Sequence, residues 1–219
     1  MTWTLNRVCQ VSTALVRYMT YPSFVIDCSG RVDANMVKRF EAIHQEIWIA
    51  RQKSPNKPMR LICTIDSQGG DSKSGWDIVD ILNRIKKVLN VEVVTEIRGR
   101  GFSAASLIYG AGDQRYIRRH AYFGAHSCNT IGRNLSVDSP PKNIIGAMID
   151  VEETNREGFD FYTKVFPHVE PSFWNRSLER HEMTKCVSHV AERMGISDGQ
   201  TPLDVLLAVD THMPDNGTR

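Results

Sequence analysis

The chain is 219 residues long, 41% hydrophobic and 24% charged, with 15 Gly and 9 Pro. That composition excludes disordered, collagen-like and coiled-coil chains, and the length points to one domain that buries a core without disulfide or metal staples. Lys and Arg number 27 against 25 Asp and Glu, a net charge of +2, which argues against nucleic acid or another polyanion as partner.

Residues 1–20 show no clear period and form an N-terminal segment; lacking a clean apolar stretch, it is not read as a signal peptide. Phe24-Val25-Ile26 is a short strand closed by the turn-like Cys28-Ser29-Gly30. Asp33 offers an N-cap, and Met36, Phe40, Ile43 and Ile47 follow at helical spacing, predicting a helix to about Arg51. Lys53 to Pro58 reads as an exposed loop. Leu61 to Ile65 is a continuous apolar run, suited to a parallel strand covered on both faces. It leads into Asp66-Ser67-Gln68-Gly69-Gly70-Asp71. A second helix carries Ile78, Leu82, Ile85 and Leu89 as its stripe.

Val91 to Ile97 is the next strand, followed by the sharp turn Gly99-Arg100-Gly101. Ala104 to Tyr109 reads as a buried helix, and 114–118 and 121–125 as two short strands. Residues 129–142, with Pro140-Pro141, are loop-like. A long amphipathic helix is predicted from Asn143 to about Phe166, with Gly158 interrupting it. A further helix over 180–194 ends at Gly195, a suitable C′ glycine. Leu203 to Val209 is a last short apolar run before a polar tail.

The alternation of strand and helix predicts an α/β fold with a mainly parallel sheet. Five cysteines (Cys9, Cys28, Cys63, Cys128, Cys186) show no Cys-x-x-Cys or Cys/His pair at zinc spacing, so free thiols in a reducing compartment are expected, with no metal and no cofactor. The longest uncharged stretch of note, Gly101 to Gly112, is too short and too rich in Gly and Ser to span a bilayer. A cytoplasmic protein with no membrane partner is the expectation.

Three features stand where strands end and helices begin, the edge at which open α/β sheets bind ligands. Gly69-Gly70 taken alone reads first as a tight turn; such a pair can also form an oxyanion hole that turns backbone N–H groups toward a carbonyl oxygen. Ser103 opens a helix directly after a strand. That is the place of an N-cap serine, and also of a nucleophile on a strained elbow whose hydroxyl feels the helix N-terminus. Ser106 competes for the nucleophile role, but one turn into the helix it should face the sheet. His126 ends the short strand Tyr122 to Ala125; it can be structural, or a general base with a pKa suited to neutral pH.

In order and spacing these segments resemble the Clp protease proteolytic subunit family, within the wider crotonase-like superfamily. Ser67-Gln68-Gly69-Gly70 matches the family's Ser-Pro-Gly-Gly oxyanion segment, and Gly99-Arg100-Gly101-Phe102-Ser103 its Gly-Gln-Ala-Ala-Ser nucleophile segment. Tyr109-Gly110-Ala111-Gly112 then matches the end of the family's next helix without a gap, and this register selects Ser103 over Ser106. His126 fits the family histidine after a small deletion. Helix 143–166 is similar to the handle helix that pairs subunit rings, and Met194-Gly195-Ile196-Ser197-Asp198 resembles the family's terminal Tyr-Gly-Leu-Val-Asp element. The likeness covers roughly residues 22–199.

The resemblance implies a spiral of ββα units with a mainly parallel sheet and a protruding handle helix: residues 21–200 as the peptidase domain and 201–219 as a C-terminal tail. It implies a serine endopeptidase with Ser103 as nucleophile and His126 as base. The N–H groups of Gly70 and Ala104 would form the oxyanion hole, and Gly69 and Asp71 would touch substrate. The family's third catalytic residue is an aspartate that has no clear counterpart here. Asn175 falls nearest in register and Glu179 next; Asn175 reads rather more readily as a surface residue beside Phe173-Trp174. Gln68 in place of proline should loosen the turn before Gly69, and Phe102 is bulkier than the family alanine. The implied partners are further copies of the chain in stacked rings, an ATP-dependent unfoldase and a peptide or protein substrate. ATP would belong to the unfoldase, since this chain has no P-loop. Two other readings stay open. One is a crotonase-type acyl-CoA enzyme, for which Asp71 is the only acid beside the glycine pair. The other is a non-catalytic ring subunit.

Overall fold

A computed structural model describes residues 22–128, 141–179, 184–202 and 205. Strand β1 (Ser23–Val32) is followed by α1 (Ala34–Lys53), β2 (Arg60–Gly70), α2 (Ser72–Leu89), β3 (Glu92–Phe102), α3 (Ala104–Gly110), β4 (Gln114–Ile117) and β5 (Tyr122–Ala125). Then come α4 (Pro141–Val165), α5 (Pro171–Glu179), β6 (Thr184–Val187) and α6 (Ser188–Arg193).

The six strands form one sheet in the order β1-β2-β3-β5-β6, with β4 also on β3. All pairings are parallel except β5 with β6. This mixed α/β architecture is consistent with the Clp-type fold.

Helix α1 starts where the sequence places its cap, and α2 starts after Asp71. The extended Asp33 accepts from the N–H groups of Asn35 and Met36 at 2.9 and 3.0 Å, and α1 then buries Met36, Phe40 and Ile47. Helix α2 buries Ile78, Leu82, Ile85 and Leu89. It ends at Asn90, whose left-handed φ of 50° an asparagine tolerates. These stripes and the inner faces of β1, β2 and β3 form one core that continues into α3 and the inward face of α4. On the other face of the sheet, Val205 is buried against Ile62, Val94 and Tyr116.

Several elements differ from expectation. The predicted turn at Cys28-Ser29-Gly30 is a bulge inside β1: the register with β2 shifts between Ser29 and Arg31, and Gly30 supplies φ +90°. Strands β2 and β3 run on through their glycine-rich ends, because a backbone ladder does not need apolar side chains to continue. The predicted helix 180–194 is mistaken. Thr184–Val187 instead pairs antiparallel with β5, Phe123 opposite Cys186, and among the described residues of that span Ser188–Arg193 alone is helical. A cysteine and a valine that close a sheet edge outweigh a weak helical period. Gly195 does follow that helix, at φ +72°. Helix α4 passes through Gly158 unbroken and begins at Pro141, a favoured first-turn proline. Residues 1–20, most of the 129–142 loop and most of the 203–219 segment lie outside the described residues.

Asp71 caps α2, accepting from the Ser74 N–H and hydroxyl at 2.8 and 2.7 Å. Partial burial pushes its carboxyl up. Hydrogen bonds from the Ser74 hydroxyl and the Ser74 and Lys73 N–H groups, with the Lys73 charge, outweigh that and hold it below the usual carboxylate value. The folded state therefore favours the ionised form, and this contribution to stability is present above the unfolded-state pKa and lost as pH falls through the folded-state pKa. Asp71→Ala should cost about 1 kcal/mol at neutral pH. Thermal melts should show the gap between wild type and variant narrowing once the pH drops below about 4.

Candidate active site

Strand β3 ends at Phe102, and Ser103 turns the chain into α3. Its φ and ψ are 54° and −128°, a conformation that L-residues other than glycine rarely adopt and that costs about 1–3 kcal/mol. Although Ser103 holds the N-cap position, its side chain makes no capping hydrogen bond. The hydroxyl is thus not committed to the helix, as an ordinary cap serine's would be.

The strain is held in place from three sides. The Ser103 N–H donates to the Gly124 carbonyl at 2.9 Å, which ties the turn to β5. The Ser103 carbonyl accepts from the Ser106 N–H at 2.8 Å and from the Ser106 hydroxyl at 2.5 Å. The third support is Gly69, at φ +93°. A Cβ there would stand 2.5 Å from both the Phe102 carbonyl oxygen and the Ser103 Cβ, and 3.1 Å from the Ala104 nitrogen. The glycine pair and the serine turn are therefore in direct contact.

Gln68, in place of proline, does not leave this turn without support: the buried Ser67 hydroxyl accepts from the Gly69 N–H at 3.0 Å. Asp71 N–H donates to the Val32 carbonyl at 2.9 Å. Gly70 pairs with Val32 in the ladder, and a Cβ on it would run into the Val32 carbonyl oxygen, so the strand end is held close against β1. Ala104 is the first residue of α3, so its N–H has no intrahelical acceptor. Gly70 and Ala104 carry the two N–H donors named for an oxyanion.

His126 follows the end of β5. Phe102 pairs with Gly124, so the strand ends carrying Ser103 and His126 are neighbours. Both side chains are half-buried and line one narrow cleft, with Ala104 and Leu107 of α3 and Ser72 and Trp76 of α2. Cys128 and one face of α4 (Thr154, Asn155, Gly158, Tyr162) close it.

Two larger cavities among the described residues do not carry comparable chemistry. A groove of about 730 Å³ between α1 and α2 holds charged residues of both signs but no Ser, Cys or His. Another, of about 690 Å³, holds His120, His189 and Ser188, but the Ser188 hydroxyl donates to the Arg119 carbonyl at 3.2 Å. Among the described residues no cluster of three or more His, Cys, Asp or Glu could hold a metal ion.

Ser106 is fully buried, and its hydroxyl lies between the Ser103 carbonyl and the Tyr162 hydroxyl, 2.6 Å away. Burial, partly opposed by the Ser106 hydrogen bond, pushes the Tyr162 phenol up to about 12, so it stays a donor near neutral pH. Ser106→Ala should leave Ser103 the labelled residue but at a reduced rate, and cost about 1–3 kcal/mol, because the Tyr162 hydroxyl loses its buried partner and the Ser103 carbonyl loses a donor. Denaturant unfolding measures the cost, and probe labelling the reduced rate.

Asn175 is exposed on α5 beside the buried Trp174 and does not line the cleft. The Glu179 side chain lies outside the described residues. Among the described residues the cleft contains no carboxylate; Asp71 stands near it but is committed to its cap. Sequence reasoning missed Asn155 and Tyr162. The available signal was a polar residue in an inward stripe, since Val151, Asn155, Gly158 and Tyr162 recur at helical spacing.

A family model described as Clp protease matches residues 12–134, more than half of the chain. The match spans the strands and helices that carry Gly69, Ser103 and His126 and stops before α4. No curated protein matches the chain.

Proposed function

The chain belongs to the Clp protease family, and on that premise we propose that it is a serine endopeptidase acting through Ser103 and His126. The Ser103 Oγ attacks the peptide carbonyl as the His126 imidazole takes its proton. The carbonyl oxygen gathers negative charge, which the N–H groups of Gly70 and Ala104 stabilise. His126 then gives the proton to the leaving amine, the C–N bond breaks, and an acyl ester remains on Ser103. A water, deprotonated by His126, cleaves the ester and restores the serine.

The observation that carries this reading is the strained, uncapped Ser103 in contact with Gly69 and sharing a cleft with His126. An ordinary cap serine needs no positive φ. The described residues support a serine–histidine dyad. Without a third group to hold the imidazole tautomer, a dyad is slower than a full triad.

The quaternary part of the proposal is a chamber of stacked rings fed by an ATP-dependent unfoldase. Helix α4 would be the ring-pairing element, and its exposed Met148 and Ile149, at 62% and 51% accessibility, support this. Among the described residues no helix is long and apolar enough to cross a membrane; a cytoplasmic chamber acting on protein substrates is part of the same proposal.

A non-catalytic ring subunit is favoured by one observation, the cleft without a described carboxylate. A crotonase-type reaction is disfavoured, because the carboxylate it would need, Asp71, is engaged in capping α2. One experiment separates the peptidase from the other two readings. The intact oligomer is treated with a fluorophosphonate and the adduct is mapped. A label on Ser103 is expected; no label, in an oligomer of proven size, favours the non-catalytic subunit.

A further inference from the structure

His126 leaves the sheet at the end of β5, where the last ladder pair is Ala125 with Thr184. Beyond it the ladder no longer fixes the chain, yet a general base must be held to within a fraction of an ångström. One anchor stands two residues on. The Asn155 Oδ1 accepts from the Cys128 N–H at 2.6 Å, and the Asn155 Nδ2 donates to the Cys128 carbonyl at 3.3 Å. One side chain of α4 thus grips both polar groups of one peptide residue, and His126 is held between that clamp and the sheet.

The same helix face reaches the other reacting group. Seven residues on, Tyr162 bonds Ser106, which bonds the Ser103 carbonyl. Positions 155 and 162 lie two turns apart on one stripe. Helix α4 therefore holds the histidine segment through Asn155 and the serine turn through Tyr162, setting their separation from one rigid element.

We propose that Asn155 is a positioning residue for the peptidase reaction: its amide, bonded to both the N–H and the C=O of Cys128, holds the His126 segment in register with Ser103. This rests on the serine–histidine reading above. Asn155 touches neither substrate nor the transferred proton; it acts through His126.

The test uses the full chain and the rate at which a fluorophosphonate labels Ser103, with thermal melting and oligomer size measured in parallel. Asn155→Ala should label at least about fivefold more slowly. Asn155→Asp keeps the oxygen that accepts from Cys128 and should label faster than Asn155→Ala. In the wild type the Cys128 amide should be protected from hydrogen exchange. A smaller loss in a folded Asn155→Ala, equal rates in the two variants, or an unprotected Cys128 amide overturns the proposal. If Asn155→Ala does not fold, Asn155→Asp must still label more slowly than wild type and Cys128 must still be protected. A wild type that does not label at Ser103 takes the peptidase reading down with it, whereas the failures just named leave that reading standing.

Discussion

Ser103→Ala yields a folded protein whose reactivity toward fluorophosphonates and peptides falls by a factor on the order of 10⁴ to 10⁶, the loss typical when a serine nucleophile is removed. Stability separates this residue from an ordinary N-cap. Replacing a capping serine by alanine costs about 1 kcal/mol. Here the hydroxyl makes no cap bond, so Ser103→Ala should leave the melting temperature nearly unchanged. Ser103→Gly removes the Cβ that opposes φ 54° and should gain about 1–2 kcal/mol while abolishing activity. Thermal melts in which wild type and Ser103→Ala nearly coincide and Ser103→Gly lies above both would show that the fold carries strain at the reacting residue. A melting temperature that drops in both variants would show that the hydroxyl caps α3 after all.

Gly69→Ala has the second large effect, on stability as well as activity. The new methyl would meet the Phe102 carbonyl oxygen and the Ser103 Cβ at 2.5 Å, on a backbone at φ +93°. The first of these neighbours is main chain and cannot swing aside, so either β2 or the serine turn must move. A loss of about 3–5 kcal/mol follows from overlap and left-handed strain together. For a domain of this size that lowers the melting temperature by roughly 10 °C. Whatever stays folded should lose at least about 100-fold in labelling rate, because displacing the nucleophile by an ångström costs that much. Calorimetry and probe kinetics on the same preparation read both losses. A variant with unchanged melting and labelling would mean that the glycine pair is not where the nucleophile turn rests.

Much of this was legible in the chain. The cap Asp33 and the apolar stripes of both helices are local signals, and they place α1 and α2 closely; the capping role of Asp71 came only from the structure. The Gly-Gly pair, the serine and the histidine were legible as an ordered set, each at a strand end. Two kinds of information were not. The ends of β2 and β3 are glycine-rich, so apolar patterning stops at Ile65 and Ile97 although the ladder continues by backbone pairing to Ser67 and Gly101. The 180–194 region reads as helical by period, but Thr184–Val187 is fixed by a partner strand some sixty residues earlier, which no local window contains. Asn155 illustrates the same limit at the site. Its importance comes from Cys128, 27 residues away in sequence, and only the packing of α4 brings the two together. Asn175, chosen by register, lies on the exposed side of α5, because Trp174 occupies the inward position and stacks on Tyr162 at 4.9 Å between ring centroids.

The most direct measurement is a crystal structure of the protein after reaction with a small phosphonate. The phosphorus should be bonded to the Ser103 Oγ, with one phosphonyl oxygen within hydrogen-bond reach of the Gly70 and Ala104 N–H groups and the His126 imidazole facing the adduct. An adduct on another residue, or on Ser103 with that oxygen directed away from both N–H groups, would contradict the proposed chemistry.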